Sequence, residues 1–178
     1  SLPLPADTEG GAGAAEQQLD AAAPLRGVAD AIVPTAAREQ DDVFISFRFG
    51  EAKTEALALK AALEELGLSV FLSAVSAGDD LQHKIANALF DCRMAVLLAS
   101  RTYGTVTNGL FDTNRELNFV LSKKKPYCLV RMIPFGSDWE ARETTLALPD
   151  SIMQCLWLPG TPMPPELLSD VTTKLDAG

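Results

Sequence analysis

A short apolar run near residue 45 is the feature that most limits how this chain can fold. The run Val43-Phe44-Ile45-Ser46-Phe47 follows Asp42 and stops abruptly at Arg48 and Gly50. Such a block is typical of a buried strand, and the residues that follow it are typical of a loop with functional side chains. Strand-like and helix-like segments then alternate to the C-terminus, which predicts that this strand is the centre of a parallel sheet.

Five strand-like segments are separated by segments with helical periodicity. The predicted strands are residues 42–48, 68–72, 94–99, 127–133 and 152–158. The predicted helices are residues 53–66, 80–92, 113–125 and the last part of the chain from Pro165. In these helices the apolar residues recur at intervals of three and four, and Leu168, Val171 and Leu175 are predicted to face the core in the last one. Residues 134–151 are predicted to form a long connection. The alternation indicates an open α/β sheet with helices on both faces.

Residues 1–40 differ in composition from the rest of the chain. They are rich in Ala, Gly, Pro, Glu and Gln, which predicts a tail or linker. Within it, Val28, Ile32 and Val33 are spaced as in a short amphipathic helix. The folded domain is therefore predicted to span residues 41–176.

The charge of the chain excludes one class of partner. The formal net charge is −9, and the longest basic run is Lys123-Lys124-Lys125. A nucleic-acid surface requires clustered Lys and Arg, so no nucleic-acid partner is expected. We interpret the lysine triplet as the solvated C-terminal end of a helix.

The cysteine and histidine content limits the possible chemistry. Cys92, Cys128 and Cys155 lie far apart in apolar contexts, as reduced core thiols of a cytoplasmic protein would. His83 is the only histidine, it falls on the polar side of a predicted helix, and a Ser-His or Cys-His triad or a metal site is not expected. No apolar run is long enough to span a membrane, and the layout of a signal peptide is not seen, which also favours the cytoplasm.

Ligands of an open parallel sheet bind beyond the carboxyl ends of its strands. The loops expected at that edge are those around Phe47 and Arg48, from Ser73 to Asp80, and from Ser100 to Asp112. Glu116, one turn into the following helix, points toward the same edge. Its carboxylate could stabilise a cationic transition state.

Two of these residues also have simpler interpretations. Thr113-Asn114-Arg115-Glu116 fits a capping box, in which the Thr113 hydroxyl and the Glu116 carboxylate satisfy backbone donors at a helix start. Arg48 could be a surface arginine paired with Glu51. The spacing by itself leaves both alternatives open.

Other uses of an α/β sheet lack their motifs. A phospho-acceptor receiver needs an Asp at the end of the third strand, where this chain has Ala99-Ser100. The phosphate-binding sequence GxxxxGK[ST] is not found, and the residues after the first strand are too bulky for a flavin phosphate loop.

Several segments together resemble a known family. They are Asp42 to Arg48 with Gly50-Glu51, Leu63 to Phe71, Gly78 to Leu81, Ala95 to Ser100 with Tyr103, and Arg115-Glu116-Leu117. They resemble the Toll/interleukin-1 receptor (TIR) domain, most closely the plant-immune and enzymatic kinds, over residues 41–176. The resemblance implies a flavodoxin-like fold with strand order 2-1-3-4-5.

For the enzymatic branch, the resemblance implies cleavage of NAD to nicotinamide and ADP-ribose or a cyclic form. NAD is the substrate, and no cofactor is implied. Glu116 is the implied catalytic residue, and the implied substrate-binding residues are Phe47, Arg48, Ser73, Gly78, Ser100, Tyr103, Phe111 and Asp112. The resemblance further implies innate-immune signalling and self-association through the loop from Ser73 to Asp80.

The chain departs from the family pattern at two places. Asp112-Thr113, preceded by Phe111, stands where a Trp-Cys pair often precedes the glutamate, and Ser73 replaces an acidic residue in the loop after the second strand. The alternative is therefore a non-enzymatic signalling adaptor that assembles through homotypic contacts. Another nucleotide-directed use of the fold, such as nucleoside deoxyribosyl transfer, also remains open.

Overall fold

The computed structural model describes residues 40–73, 79–107, 112–150, 152 and 154–177, without the side chains of residues 79–81. These residues belong to a compact unit that spans Ala36–Gly178. The tail or linker and the short helix with Val28, Ile32 and Val33 lie outside the described residues, and they stay predictions.

Five parallel strands form the sheet. They are β1 (Val43–Phe47), β2 (Val70–Leu72), β3 (Met94–Ala99), β4 (Tyr127–Arg131) and β5 (Gln154–Leu156). Their order is β2-β1-β3-β4-β5, and all neighbours are parallel. The predicted flavodoxin-like α/β fold with order 2-1-3-4-5 is confirmed.

Helices cover both faces of this sheet. They are α1 (Phe49–Glu65), α2 (Asp79–Asp91), α3 (Thr113–Ser122), α4 (Arg142–Ala147) and α5 (Pro165–Asp176). One core cluster joins α1 and α5 to a face of the sheet, and a second cluster joins α2 and α3 to the other face. Because side chains alternate along a strand, Ile45 and Phe47 face α1 and α5, whereas Phe44 faces α2 and α3. Ser46 therefore points toward α3.

The first strand leads directly into a helix. We predicted a loop around Arg48 and a helix from Lys53, but α1 begins at Phe49 and Arg48 is its N-cap residue. The backbone amides of Glu51 and Ala52 both donate to the Arg48 carbonyl at 3.0 Å. The apolar periodicity starts only after this turn, so the sequence did not reveal it.

Several other boundaries differ from the prediction. β2, β4 and β5 are shorter than expected, because apolar sequence continues beyond the paired residues; Met132 and Ile133, for example, are buried after β4 has ended. The short helix α4 was missed, and Thr144 is its only buried residue. In α5, Leu167 is fully buried with Val171 and Leu175, and Leu168 is only partly buried.

Arg131 organises the connection after β4. Its guanidinium is almost fully buried, forms an ion pair with Asp150 at 2.6 Å and lies 4.4 Å from the ring centroid of Trp139. It also donates to the carbonyls of Ile133 at 3.1 Å and of Ser137. These partners satisfy a buried charge, which makes Arg131 a structural residue.

The cysteines are buried free thiols, as predicted. Burial raises the pKa of Cys92 to about 11 and that of Cys155 to about 12, so both thiols stay protonated. His83 is exposed, as predicted. The lysine triplet begins directly after the last residue of α3, and Lys123 and Lys124 are exposed there. No helix in the described parts of the chain is both long and apolar enough to cross a bilayer.

Candidate functional site

Glu116 lies in the first turn of α3, against the carboxyl ends of β1 and β2. Its side chain is only 2% exposed. The hydroxyl of Ser46 donates to Oε2, and the hydroxyl of Ser73 donates to Oε1. Ser73 follows β2 directly, and its backbone amide donates to the Ile45 carbonyl at 3.0 Å, which fixes it beside β1. Both carboxylate oxygens therefore have a hydroxyl donor.

A tyrosine extends this hydrogen-bonded chain into the core. The hydroxyl of Tyr103 lies 2.6 Å from Oγ of Ser46, and both residues are fully buried. Tyr103 comes from the loop after β3, so the chain links that loop, the central strand and α3. Burial raises the pKa of Tyr103 above its ordinary value, and the Glu116 charge adds to this, so the phenol stays protonated.

The environment of Glu116 raises the pKa of its carboxyl group toward neutral pH. Burial raises its pKa to about 7, and the nearby Asp112 carboxylate acts in the same direction. Hydrogen bonds from Ser46 and Ser73 act in the opposite direction, because they stabilise the ionised form. Glu116 can therefore change its charge near pH 7, which is unusual for a carboxyl group and typical of functional sites.

The start of α3 is capped by Asp112, and the capping-box hypothesis for Thr113 and Glu116 is wrong. Oδ1 of Asp112 accepts from the Arg115 amide at 3.0 Å, and Oδ2 accepts from the Thr107 amide at 2.9 Å. The Thr113 hydroxyl oxygen instead accepts from the Gly104 amide at 2.9 Å. Asp is a strong N-cap residue, and it stands one position earlier. Glu116 therefore does not cap α3.

A cleft of about 450 Å³ opens in front of Glu116. It lies where the carboxyl ends of the strands meet the first turns of α1 and α3, as expected for ligand sites of open α/β sheets. Its lining residues are Phe47, Arg48, Phe49, Gly50, Glu51, Ser73, Thr102, Thr107, Asp112, Thr113 and Glu116.

The cleft brings together five of the nine residues predicted for the site. Phe47, Arg48, Ser73, Asp112 and Glu116 line it. Ser100 and Tyr103 are buried behind the cleft and do not line it. Gly78 and Phe111 lie outside the described residues.

Phe49 is an aromatic lining residue that the sequence reasoning did not assign. Phe47, one of the implied substrate-binding residues, is 3% exposed and belongs to the core cluster, whereas Phe49 is 48% exposed. The Lys53 ammonium lies 4.7 Å from the Phe49 ring centroid. The larger accessible aromatic surface of the cleft therefore comes from Phe49. Its position directly after the strand was the available signal.

Arg48 and Glu51 are connected through Thr102. Arg48 Nε donates to Oγ1 of Thr102 at 3.0 Å. The Thr102 hydroxyl and amide donate to Glu51 at 2.6 and 3.1 Å. Burial acts to raise the pKa of Glu51, but the hydrogen bonds from Thr102 and the nearby Arg48 charge outweigh it, so the pKa is lowered. The expected pairing of Arg48 with Glu51 thus runs through a third residue, which fastens the loop after β3 to α1.

At Gly104 the loop after β3 packs closely against Thr144 of α4. The φ of Gly104 is +80°, and a Cβ atom there would lie 1.9 Å from Oγ1 of Thr144. That hydroxyl donates to the Tyr103 carbonyl at 3.0 Å. A residue with a side chain at position 104 would therefore be strained and would displace Thr144.

Within the described part of the chain, no group of three or more His, Cys, Asp or Glu residues is placed to hold a metal ion.

Comparisons with known proteins identify the family of this chain. A family model described as TIR domain matches residues 43–154, which is more than half of the chain. Among solved structures, the chain is similar to the TIR domains in the "Structure of the activated Roq1 resistosome directly recognizing the pathogen effector XopQ". That match has 24% sequence identity and a TM-score of 0.41, and it covers 51% of this chain and 56% of the other. The alignment thus spans about half the length of that structure. A search of curated proteins gave no match. Because this family model matches more than half of the chain, the chain belongs to the TIR domain family.

Proposed function

We propose that this domain is an NAD glycohydrolase that cleaves NAD to nicotinamide and ADP-ribose or a cyclic ADP-ribose. The observation that carries the proposal is the Glu116 carboxylate, buried beside the cleft at the carboxyl edge of the sheet with a pKa of about 7. The family match adds support, because residues 43–154 include the strands β1 and β2 and the helices α1 and α3 around the cleft.

The chemistry requires a fixed negative charge more than a nucleophile. The bond between C1′ of the ribose and the pyridinium nitrogen breaks, and its electron pair neutralises the nicotinamide. Positive charge then develops on the ribose as an oxocarbenium ion. A carboxylate in a site with little water stabilises that charge, and neither metal nor histidine is needed. Water adds at C1′ and loses a proton to the solvent to give ADP-ribose, or the adenine of the same molecule adds to give the cyclic form.

The other lining residues supply contacts suited to a dinucleotide. Phe49 offers an exposed ring for stacking, and Arg48 offers a guanidinium for a phosphate at the cleft rim. Ser73 and Asp112 lie beside Glu116 and can contact the ribose. Phe47 contributes the edge of a mostly buried ring.

Activity is proposed to depend on self-association. In the single chain, Glu116 is 2% exposed and both of its oxygens are occupied, so the side chain must gain access to a substrate. Docking of a second copy at the loop from Ser73 to Asp80 could provide this, because Ser73 holds Oε1. Residues 74–78 of that loop lie outside the described residues, so the contact itself stays a prediction. Buried free thiols are consistent with a reducing compartment, and we propose a cytoplasmic location.

The proposal is tested by NAD consumption with chromatography of the products, over a wide range of protein concentration. We expect the rate per molecule to increase with concentration, because assembly is required. A rate per molecule that is independent of concentration would refute the assembly requirement. Chromatography distinguishes linear from cyclic ADP-ribose.

A second candidate function is a non-enzymatic signalling adaptor. Phe90 at the end of α2 is 66% exposed and contacts Phe119 of α3, with ring centroids 6.1 Å apart. Exposed aromatic side chains are typical of protein contact surfaces. If the protein self-associates in sedimentation experiments but releases no nicotinamide at any concentration, the adaptor is favoured.

A further inference from the structure

Tyr103, a predicted substrate-binding residue, is linked to Glu116 through Ser46. It does not line the cleft and is fully buried, so it cannot touch a substrate there. Its hydroxyl nevertheless lies 2.6 Å from Ser46, which in turn donates to Glu116. A buried phenol in such a position needs an explanation other than substrate contact.

The direction of this hydrogen-bonded chain follows from the number of protons. When Glu116 is ionised its oxygens can only accept, so the single hydroxyl proton of Ser46 points to Oε2. The bond between Tyr103 and Ser46 must therefore use the phenolic proton, with the Ser46 oxygen as acceptor. Tyr103 thus keeps Ser46 oriented as a donor, and it polarises Ser46 because consecutive hydrogen bonds strengthen one another.

The two carboxylate oxygens have different surroundings. Oε2 faces the core, where its donor Ser46 is fixed within β1 and held by Tyr103. Oε1 faces Ser73, which lines the cleft together with Glu116. A ribose hydroxyl could replace the Ser73 hydroxyl on Oε1 without any change on the core side.

We propose that Tyr103 is a positioning residue for Glu116, acting through Ser46 to hold Oε2 on the core side and to leave Oε1 for a hydroxyl group of the substrate. The inference rests on the proposed function, since it assigns a role to the carboxylate of that reaction. Tyr103 itself takes no part in bond breaking.

Other charged or titratable groups around Glu116 come from two elements, α3 and α1. Asp112 lies at the start of α3, and Arg48 and Glu51 line the cleft from the start of α1. Replacing Tyr103 with Phe removes only a hydroxyl and leaves these groups in place. A change in the titration of Glu116 in Tyr103→Phe would therefore report on the chain through Ser46.

The test is a double-mutant cycle of Tyr103→Phe and Ser46→Ala, read from the pH profile of kcat/KM. In Tyr103→Phe we expect the midpoint of the acid limb to rise by about half a pH unit, because the donor to the carboxylate is weakened. That shift lowers kcat/KM about threefold at pH 6 and leaves it nearly unchanged at pH 9. In a protein that already carries Ser46→Ala, Tyr103→Phe should have no further effect.

The other tyrosine of the chain provides a matched control. Tyr127 lies at the start of β4, away from the cleft, and Tyr127→Phe should behave as the wild type. The inference would be overturned if Tyr103→Phe lowered kcat/KM equally in the wild-type and Ser46→Ala backgrounds. It would also be overturned if the loss of kcat/KM were the same at pH 6 and pH 9. Either result would indicate that Tyr103 only supports the fold.

A second readout separates this inference from the proposed function. The titration of Glu116 is followed without substrate, as the pH dependence of the free energy of unfolding relative to Glu116→Gln. The same cycle should give the same non-additive shift. If the wild type releases no nicotinamide, the proposed function fails and this titration alone decides: a shift that depends on Ser46 supports the positioning by Tyr103, and no shift overturns it.

Discussion

Replacing Glu116 with Gln should stabilise the protein increasingly as the pH rises. The pKa of Glu116 is about 7 in the folded protein, compared with an ordinary value of 4.5. Between these values the folded protein retains a proton that the unfolded chain has lost, so the free energy of unfolding falls as the pH rises. The stabilisation that the wild type gains from the proton on Glu116 is fully present below pH 4.5 and is lost as the pH rises above 7. The complete effect corresponds to about 3 kcal/mol.

The practical range is pH 5.5 to 8.5, because the isoelectric point of about 4.6 limits work at lower pH. Over that range, the linkage relation predicts that Glu116→Gln gains about 2 kcal/mol relative to the wild type. Urea denaturation at several pH values measures the difference. Glu65→Gln is a matched control, since Glu65 is an exposed residue at the end of α1, and its difference from the wild type should stay constant. A Glu116→Gln difference that is also constant across the range would refute the conclusion that Glu116 titrates near neutral pH.

Three further substitutions test the structure around the site, each by urea denaturation. Asp112→Ala removes the N-cap of α3 and the acceptor for the Thr107 amide, and should cost about 1 to 2 kcal/mol; an unchanged midpoint would contradict this capping. Gly104→Ala should cost more than about 1 kcal/mol because of the positive φ and the contact with Thr144, and a neutral effect would contradict the loop geometry. Arg131→Met leaves the buried Ile133 carbonyl and the part-buried Ser137 carbonyl without this donor and should cost about 1 to 3 kcal/mol, whereas an unchanged stability would show that these carbonyls find other partners.

The sequence predicted the sheet because strands buried on both faces are continuous apolar runs. β3 was predicted with the bounds that the structure shows, and all six of its residues are buried. The edge strands β2 and β5 were predicted too long, since apolarity reports burial and not strand pairing. The six-residue helix α4 has too few buried positions to produce a periodic signal.

The candidate site was predicted only in part, for reasons of tertiary structure. Sequence reasoning placed Glu116 at the carboxyl edge of the sheet, and the structure places it beside the cleft there. Ser46 was missed because it stands inside an apolar strand, although a hydroxyl in such a run was itself a signal. Its contacts with Glu116 and Tyr103 join residues that are 70 and 57 positions apart, respectively, and no local pattern encodes them. Arg131 was missed for a different reason: its partners Ile133, Ser137 and Asp150 lie nearby in the irregular connection after β4, which has no periodic pattern.

The most direct measurement of the central claim is nicotinamide release from NAD at pH 8 by the concentrated wild type, by Glu116→Gln and by Glu65→Gln. Above its pKa of about 7, Glu116 is mostly ionised, which is the form that the proposed chemistry requires. We predict release by the wild type and Glu65→Gln, and a loss of at least about 100-fold in Glu116→Gln, as for removal of an electrostatic group that stabilises a transition state. Release by folded Glu116→Gln at the wild-type rate would contradict the assignment of Glu116 as the catalytic residue.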